Sequence, residues 1–123
     1  MRLFYITTAI LFSTQVLAED FTRYLEKHTP SIIKIFNKDK LHINENCFNN
    51  FTECKNYFQK IANSKKLITK TSNLIGHPAG QFCVNSNGTP EIFYDGKNNQ
   101  YDFCNFKEKY IVDSWDFYNR FNK

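Results

Sequence analysis

The sequence has few of the residue patterns that catalytic and metal sites require. Its three histidines, His28, His42 and His77, lie far apart, and its four cysteines form no Cys-x2-Cys pair. Zinc sites need ligands at short fixed spacings, so this scatter argues against one. A Gly-x-Ser-x-Gly elbow and a glycine-rich phosphate loop are also absent. We therefore assign no catalytic, metal-binding or cofactor-binding residue, expect no cofactor, and predict that the protein is not an enzyme.

The chain also lacks a strong excess of charge of either sign. It has 16 Lys and Arg against 12 Asp and Glu, a net charge of +4. Residues 19–73 carry 10 basic and 6 acidic groups, whereas residues 74–123 carry 5 and 6. A basic segment of this strength permits weak attraction to an anionic membrane but does not demand it. We regard a membrane surface as a possible partner and expect no nucleic-acid partner.

Long apolar runs are absent except at the N terminus. The run from Leu3 to Phe12 is almost entirely apolar, follows the positive charge of Arg2, and leads to Ala18, a small residue suited to cleavage. A bilayer-spanning helix needs about 20 apolar residues, so a membrane anchor is the weaker alternative. We predict a cleaved signal peptide at residues 1–18. No cysteine directly follows the cleavage point, so we expect no lipid anchor and a periplasmic or secreted protein.

The four cysteines of an exported chain predict two disulfides. In one continuous helix, Cys47 and Cys54 would lie about 10.5 Å apart along the axis, whereas a disulfide needs Cα atoms within about 7 Å. Either the helix begins after Cys47, which then folds back on Cys54, or both cysteines pair elsewhere. We favour the first arrangement, with Cys83 paired to Cys104.

Residues 77–118 begin with the signals of a short helix. Pro78 suits a first helical position, where a missing N–H costs nothing and φ is already correct. Asn87 and Gly88 then end the helix, since glycine can take the left-handed conformation that follows a helix.

Two strands and a second helix follow in the same region. The β-rich run from Glu91 to Tyr94 and the alternating run from Gln100 to Phe106 predict strands. Residues 95–99 between them suit a hairpin loop, because Asp, Gly and Asn tolerate positive φ. Asp113 or Ser114 can cap the last short helix.

This region resembles a known family. The matching residues, whose spacing fits without a gap, are Pro78, Ala79, Cys83, Gly88, Glu91, Ile92, Gln100, Tyr101, Cys104, Phe106 and Trp115. The set resembles a small domain of unknown function found in exported bacterial proteins that are labelled hemolysins. The resemblance implies export and a disulfide, and it implies no known activity. His77 departs from the family's asparagine at the start of the first helix, and Val112 stands where many members have a further cysteine.

Residues 19–73 are predicted to form a basic, mainly helical N-terminal part. Asp20 can cap a short helix from Phe21 to His28. The isoleucine-rich run at residues 31–36 fits either one or two helical turns or a strand. The clearest helix lies within residues 49–64, where apolar side chains line one face and Lys, Asn and Gln the other.

These elements predict an α+β fold. We expect a small disulfide-stapled domain in which an antiparallel β-hairpin packs on short helices, with a helical part before it. The predicted organisation is a signal peptide at 1–18, the N-terminal part at 19–73, which ends in a polar connector at 65–73, and a helix-strand-strand-helix domain at 74–123. No internal repeat is visible in the sequence.

Aromatic residues are abundant, with 13 Phe, 7 Tyr and 1 Trp. In a domain with few Leu and Val, most of them are expected to form the core. Those of the hairpin alternate between two faces, so one face can pack on the helices while the other meets a partner. The candidate binding surface comprises Phe93, Tyr94, Tyr101, Phe103 and Trp115.

The leading functional hypothesis is an exported, non-enzymatic binding protein whose partner is an unknown protein or envelope component. The first alternative is a membrane-active, hemolysin-like toxin, supported by the basic first half and the amphipathic stretch at residues 49–64. The second alternative is a small secreted hydrolase.

Overall fold

The computed structural model describes residues 17–25, 29–64 and 77–122. Most of the predicted signal peptide at 1–18 and the whole connector at 65–73 lie outside the described residues.

The described residues contain six antiparallel strands that close into a barrel in the order β1-β2-β3-β6-β5-β4. The strands are β1 (Glu19–Leu25), β2 (Thr29–Lys38), β3 (Leu41–Asn44), β4 (Thr89–Tyr94), β5 (Gln100–Phe106) and β6 (Tyr110–Asp113). The mixed helix and strand class and the disulfide staples are confirmed. The prediction of a lone hairpin on helices is wrong, because β4 and β5 are two members of a closed barrel.

The N-terminal part is the largest correction to the sequence prediction. The expected helix from Phe21 to His28 is a strand over its described residues, with Phe21 and Arg23 buried and Thr22 and Tyr24 less so. A strand places alternate side chains on opposite faces, and pairing with β2 makes the inward positions part of the core. The isoleucine-rich run is likewise a strand, which suits its β-branched side chains.

The described residues also form four helices, which pack outside the barrel: α1 (Glu45–Asn49), α2 (Phe51–Asn63), α3 (Pro78–Asn85) and α4 (Ser114–Phe121). The helix predicted within residues 49–64 is confirmed as α2. Side chains cap three helices by accepting a backbone N–H bond: Asn44 for α1, His77 for α3 and Asp113 for α4. Pro78 opens α3, as predicted, while the left-handed residue after this helix is Asn87, with φ of 66°, rather than Gly88.

The two disulfides have the pairing that the sequence favours. Cys47 and Cys54 are joined with Cα atoms 5.3 Å apart, because the helical path breaks at Asn50 between α1 and α2. Cys83 of α3 and Cys104 of β5 form the second bond, with Cα atoms 5.7 Å apart. Two disulfides and no free cysteine indicate an extracellular or periplasmic location.

The apolar core has two parts, separated by the barrel wall. Inside the barrel lie Phe21, Ile35, Phe93, Phe103 and Ile111. Outside it, the helices cover the opposite face of β3, β5 and β6 with a larger cluster in which Phe58 and Phe117 are fully buried. Alternation along β5 and β6 therefore serves two cores, whereas β1, β2 and β4 expose side chains such as Tyr24, Ile32 and Ile92 to solvent.

Candidate binding groove

A groove lies beside the pairing of β1 with β4. These two strands share one register pair, Thr22 opposite Tyr94, whereas β1 and β2 share seven from Glu19 to Leu25. The opening has a volume of about 890 Å³. Its lining residues, called the groove below, are Arg23, Tyr24, His77, Gly80, Thr89, Pro90, Glu91, Ile92, Tyr94, Asp102 and Ser114.

His77 is fixed at one end of the groove by two hydrogen bonds. Its Nδ1 accepts from the backbone N–H of Gly80 at 2.8 Å, which caps α3. Its Nε2 lies 3.0 Å from Oδ2 of Asp102 on β5. Because Nδ1 accepts, the ring proton is on Nε2, and this nitrogen donates to the carboxylate. The ring also lies 5.5 Å from that of Trp115.

Ser114 lines the groove together with His77 and Asp102, but the three do not form a nucleophilic triad. A triad needs one histidine nitrogen to accept the serine proton. Here Nδ1 is occupied by Gly80 and Nε2 by Asp102, so neither nitrogen is free as a base. Ser114 is fully buried, and its Oγ has no hydrogen-bond partner.

Arg23, another residue that lines the groove, has a buried guanidinium. Arg23 donates from Nη2 to both carboxylate oxygens of Glu91 at 2.8 Å and from Nη1 to Glu108 at 2.8 Å. Asn105 donates to the same two carboxylates. The hydrogen bond to Glu108, opposed by burial, raises the pKa of Arg23, and the same bond lowers the pKa of Glu108. One guanidinium therefore faces two carboxylates, and Glu91 is ion-paired within the protein.

The groove also presents exposed apolar side chains. Tyr24 is 54% exposed and Ile92 is 49% exposed. Tyr24 and Tyr94 meet edge to face with ring centroids 5.5 Å apart across the β1–β4 seam. Large apolar side chains this exposed, placed side by side, are typical of interaction sites.

The candidate binding surface predicted from the sequence is divided by the barrel wall. Phe93 and Phe103 are buried and stacked inside the barrel with centroids 4.5 Å apart, so they offer no surface. Tyr94 lines the groove, and Trp115, which is 42% exposed, lies beside His77. Tyr101 is 38% exposed but lies at another cavity, described next.

A smaller cavity, of about 80 Å³, lies at the end of the barrel near the junction of β6 and α4. It is lined by Glu19, Phe21, His42, Tyr101, Phe103 and Asp113. Burial raises the pKa of Asp113, and a hydrogen bond to Asp116 raises that of His42. Within residues 17–25, 29–64 and 77–122, no three His, Cys, Asp or Glu side chains are arranged to hold a metal ion.

No direct sign of the groove is visible in the sequence. Tyr24 and Ile92 are 68 positions apart in the sequence. Their strands, β1 and β4, meet only in the closed barrel, where Thr22 lies opposite Tyr94. The sequence does indicate the face on which Asp102 lies. Alternation along β5 places Asp102 on the face opposite to Phe103.

A comparison with protein families gives one match. The model of a domain of unknown function (DUF333) matches residues 75–120, which include α3, β4, β5, β6 and most of α4. No curated protein and no solved structure matches this chain. In the described part of the chain, no helix combines the length and apolar character needed to cross a membrane.

Proposed function

We propose that this chain is an exported binding protein that holds an extended polypeptide segment of its partner in the groove. The observation that carries the proposal is the juxtaposition of exposed Tyr24 and Ile92 with the polar end formed by His77 and Asp102. Binding sites for ligands are typically apolar clefts with a few placed polar groups. A segment lying along the groove would cover the apolar side chains and meet the polar pair formed by His77 and Asp102.

The chemistry at Asp102 favours a basic side chain in the bound segment. Its carboxylate is 44% exposed and bonds to His77, whose neutral ring does not cancel the negative charge. Glu91, by contrast, is paired with Arg23. A Lys or Arg from the partner would supply the missing positive charge through a charge-assisted hydrogen bond. Trp115 stands next to His77, where its ring face can support the aliphatic stem of that side chain.

The same geometry supports binding rather than turnover. Both nitrogens of His77 are occupied, so the serine of the groove has no base beside it. The membrane-active alternative also loses support, because the apolar face of α2 that suggested it packs on the core through Cys54, Phe58 and Ala62.

A peptide-display selection against oxidised residues 19–123 tests the proposal. We expect selected peptides to be enriched in Lys or Arg at one position. For the best of them, replacing that residue by norleucine should weaken binding about tenfold, as expected for one charge-assisted hydrogen bond. Asp102→Asn removes the charge but keeps an acceptor for His77, and it should abolish the difference between the two peptides.

Matched variants identify the surface. Ile92→Glu should abolish binding, whereas Ile32→Glu, on an isoleucine that is also exposed but does not line the groove, should not. Glu53→Gln, on the exposed side of α2, controls for the charge change of Asp102→Asn. Peptides that bind the Ile92→Glu variant as well as the wild type would overturn the groove as the site. Peptides without a basic position would overturn the role of Asp102.

A further inference from the structure

The barrel consists of two halves built on one plan. In the ring of strands, β1, β2 and β3 of the first half correspond to β4, β5 and β6 of the second. If the labels of corresponding strands are exchanged, the list of neighbouring strands does not change. The last residue of β3, Asn44, caps α1, and the last residue of β6, Asp113, caps α4. Ile43 and Val112, each one residue before its cap, are opposite partners where β3 meets β6. The repetition is one of topology, since the sequence shows no repeat.

The bonds that tie the strands together lie mostly within the halves. The β1–β2 pairing has seven register pairs and the β4–β5 pairing has six. Each seam between the halves has one, at Thr22 opposite Tyr94 and at Ile43 opposite Val112. Cys47–Cys54 lies in the first half and Cys83–Cys104 in the second, so no disulfide crosses between them.

The halves are instead held by side chains. Both core clusters draw residues from each half, for example Ile35 with Phe103 and Phe58 with Phe117. Polar ties also cross, including Arg23 to Glu91 and Glu108. Either half alone would leave its share of this core exposed to water, which is strongly unfavourable.

We propose that the two halves, residues 19–64 and 77–122, are exchangeable, so that a second copy of this chain can complete the barrel. In such a reciprocal dimer, the first half of each chain packs against the second half of the other. Every contact across the seams is kept, but it joins two chains instead of two halves of one chain. The balance between monomer and dimer then depends on concentration and on the link at residues 65–76.

The exchange has a consequence for the groove, although it does not depend on the proposed function. The groove takes Arg23 and Tyr24 from the first half and the residues from His77 to Ser114 from the second. A reciprocal dimer therefore carries two complete grooves, each made from both chains. It would bind a partner with repeated segments more tightly than the monomer does.

Cysteine pairs at the seams test the exchange in the full-length oxidised chain. Directly opposed residues of antiparallel strands have Cα atoms about 4.5–5.5 Å apart, which a disulfide can bridge. A chain carrying only Thr22→Cys is unfolded in urea with one carrying only Tyr94→Cys, and the mixture is refolded at increasing concentration. We expect a disulfide-linked heterodimer, mapped to positions 22 and 94, whose yield rises with concentration.

Controls separate exchange from random cross-linking. In a parallel mixture, Thr52→Cys, on the exposed side of α2, replaces Thr22→Cys and is refolded with Tyr94→Cys. This mixture should give only a background yield of disulfide-linked heterodimer. The second seam provides an independent pair, Ile43→Cys with Val112→Cys, whose buried positions cannot meet through a surface contact. Cross-linking at background level at both seams, in protein that refolds with native disulfides, would overturn the proposal.

Discussion

Oδ2 of Asp116 accepts two hydrogen bonds from the same residue, His42. The backbone N–H of His42 lies 2.9 Å from this oxygen and its ring Nδ1 lies 2.8 Å from it. The two residues are 74 positions apart, so the contact ties β3 to the first turn of α4. The ring bond raises the pKa of His42 above its ordinary value of 6.5, against the opposing effect of burial.

The raised pKa predicts that the His42–Asp116 bond stabilises the fold in acid. The charged ring is favoured in the folded state, so the contribution is complete below the unfolded pKa and is lost as pH rises through the folded one. We expect His42→Ala to lower the free energy of unfolding more at pH 5 than at pH 8, as measured by urea denaturation. A loss that is equal at both pH values, or larger at pH 8, would contradict this assignment.

Gly88 has no room for a side chain. A Cβ at this position would collide with Sγ of Cys104 and lie 2.9 Å from Sγ of Cys83. We expect Gly88→Ala to destabilise the protein by about 1–3 kcal/mol through overpacking against the disulfide. Gly96→Ala is the matched control, since a Cβ there meets nothing within 4 Å, and it should leave the thermal midpoint nearly unchanged.

Asp113 combines a helix cap with a buried charge, and two substitutions separate these roles. Its Oδ1 accepts from the backbone N–H of Asp116, while burial raises its pKa. Asp113→Ala should cost about 1 kcal/mol by removing the cap. Asp113→Asn keeps an acceptor and removes the charge, so it should be as stable as the wild type or more stable at pH 8, where the native carboxylate is ionised. Equal losses for both variants in urea denaturation would contradict this division.

Arg23 should matter far more than an exposed cation. Arg23→Met leaves the carboxylates of Glu91 and Glu108 without the guanidinium that pairs with them, and we expect a loss of about 2 kcal/mol in urea denaturation. Lys55→Met is the control, because its ion pair with Asp39 is exposed and should contribute little to stability. If the cost comes from the unpaired carboxylate, adding Glu91→Gln to Arg23→Met should recover part of the loss.

The sequence predicted best where local chemistry decides the backbone. The strand from Gln100 to Phe106 has the bounds that its alternation indicated, and Pro78 opens α3 as expected. The prediction from the sequence failed for β1, because Asp20 and the residues after it suit a capped helix as well as a strand. Pairing with β2 settles that ambiguity, and pairing is not a local property.

The candidate binding surface is only partly exposed, for a related reason. Alternation separates the two faces of the hairpin, but it does not say which face is covered. Phe93 and Phe103 point into the barrel, where they pack with residues of β1, β2 and β6, while Tyr94 lines the groove. The contact of His77 with Asp102 joins residues 25 positions apart and depends on α3 crossing β5.

The sequence by itself determined the α+β class, the second helix of the first half, the hairpin and the favoured cysteine pairing, because turns, caps and periodicity are encoded over a few residues. Closure of the six strands, the two-half plan and the groove at the β1–β4 seam were decided only by tertiary structure. They depend on which apolar faces meet across long separations in the chain. Residues such as Arg23 and Asp102 acquire their environment only once that barrel has closed.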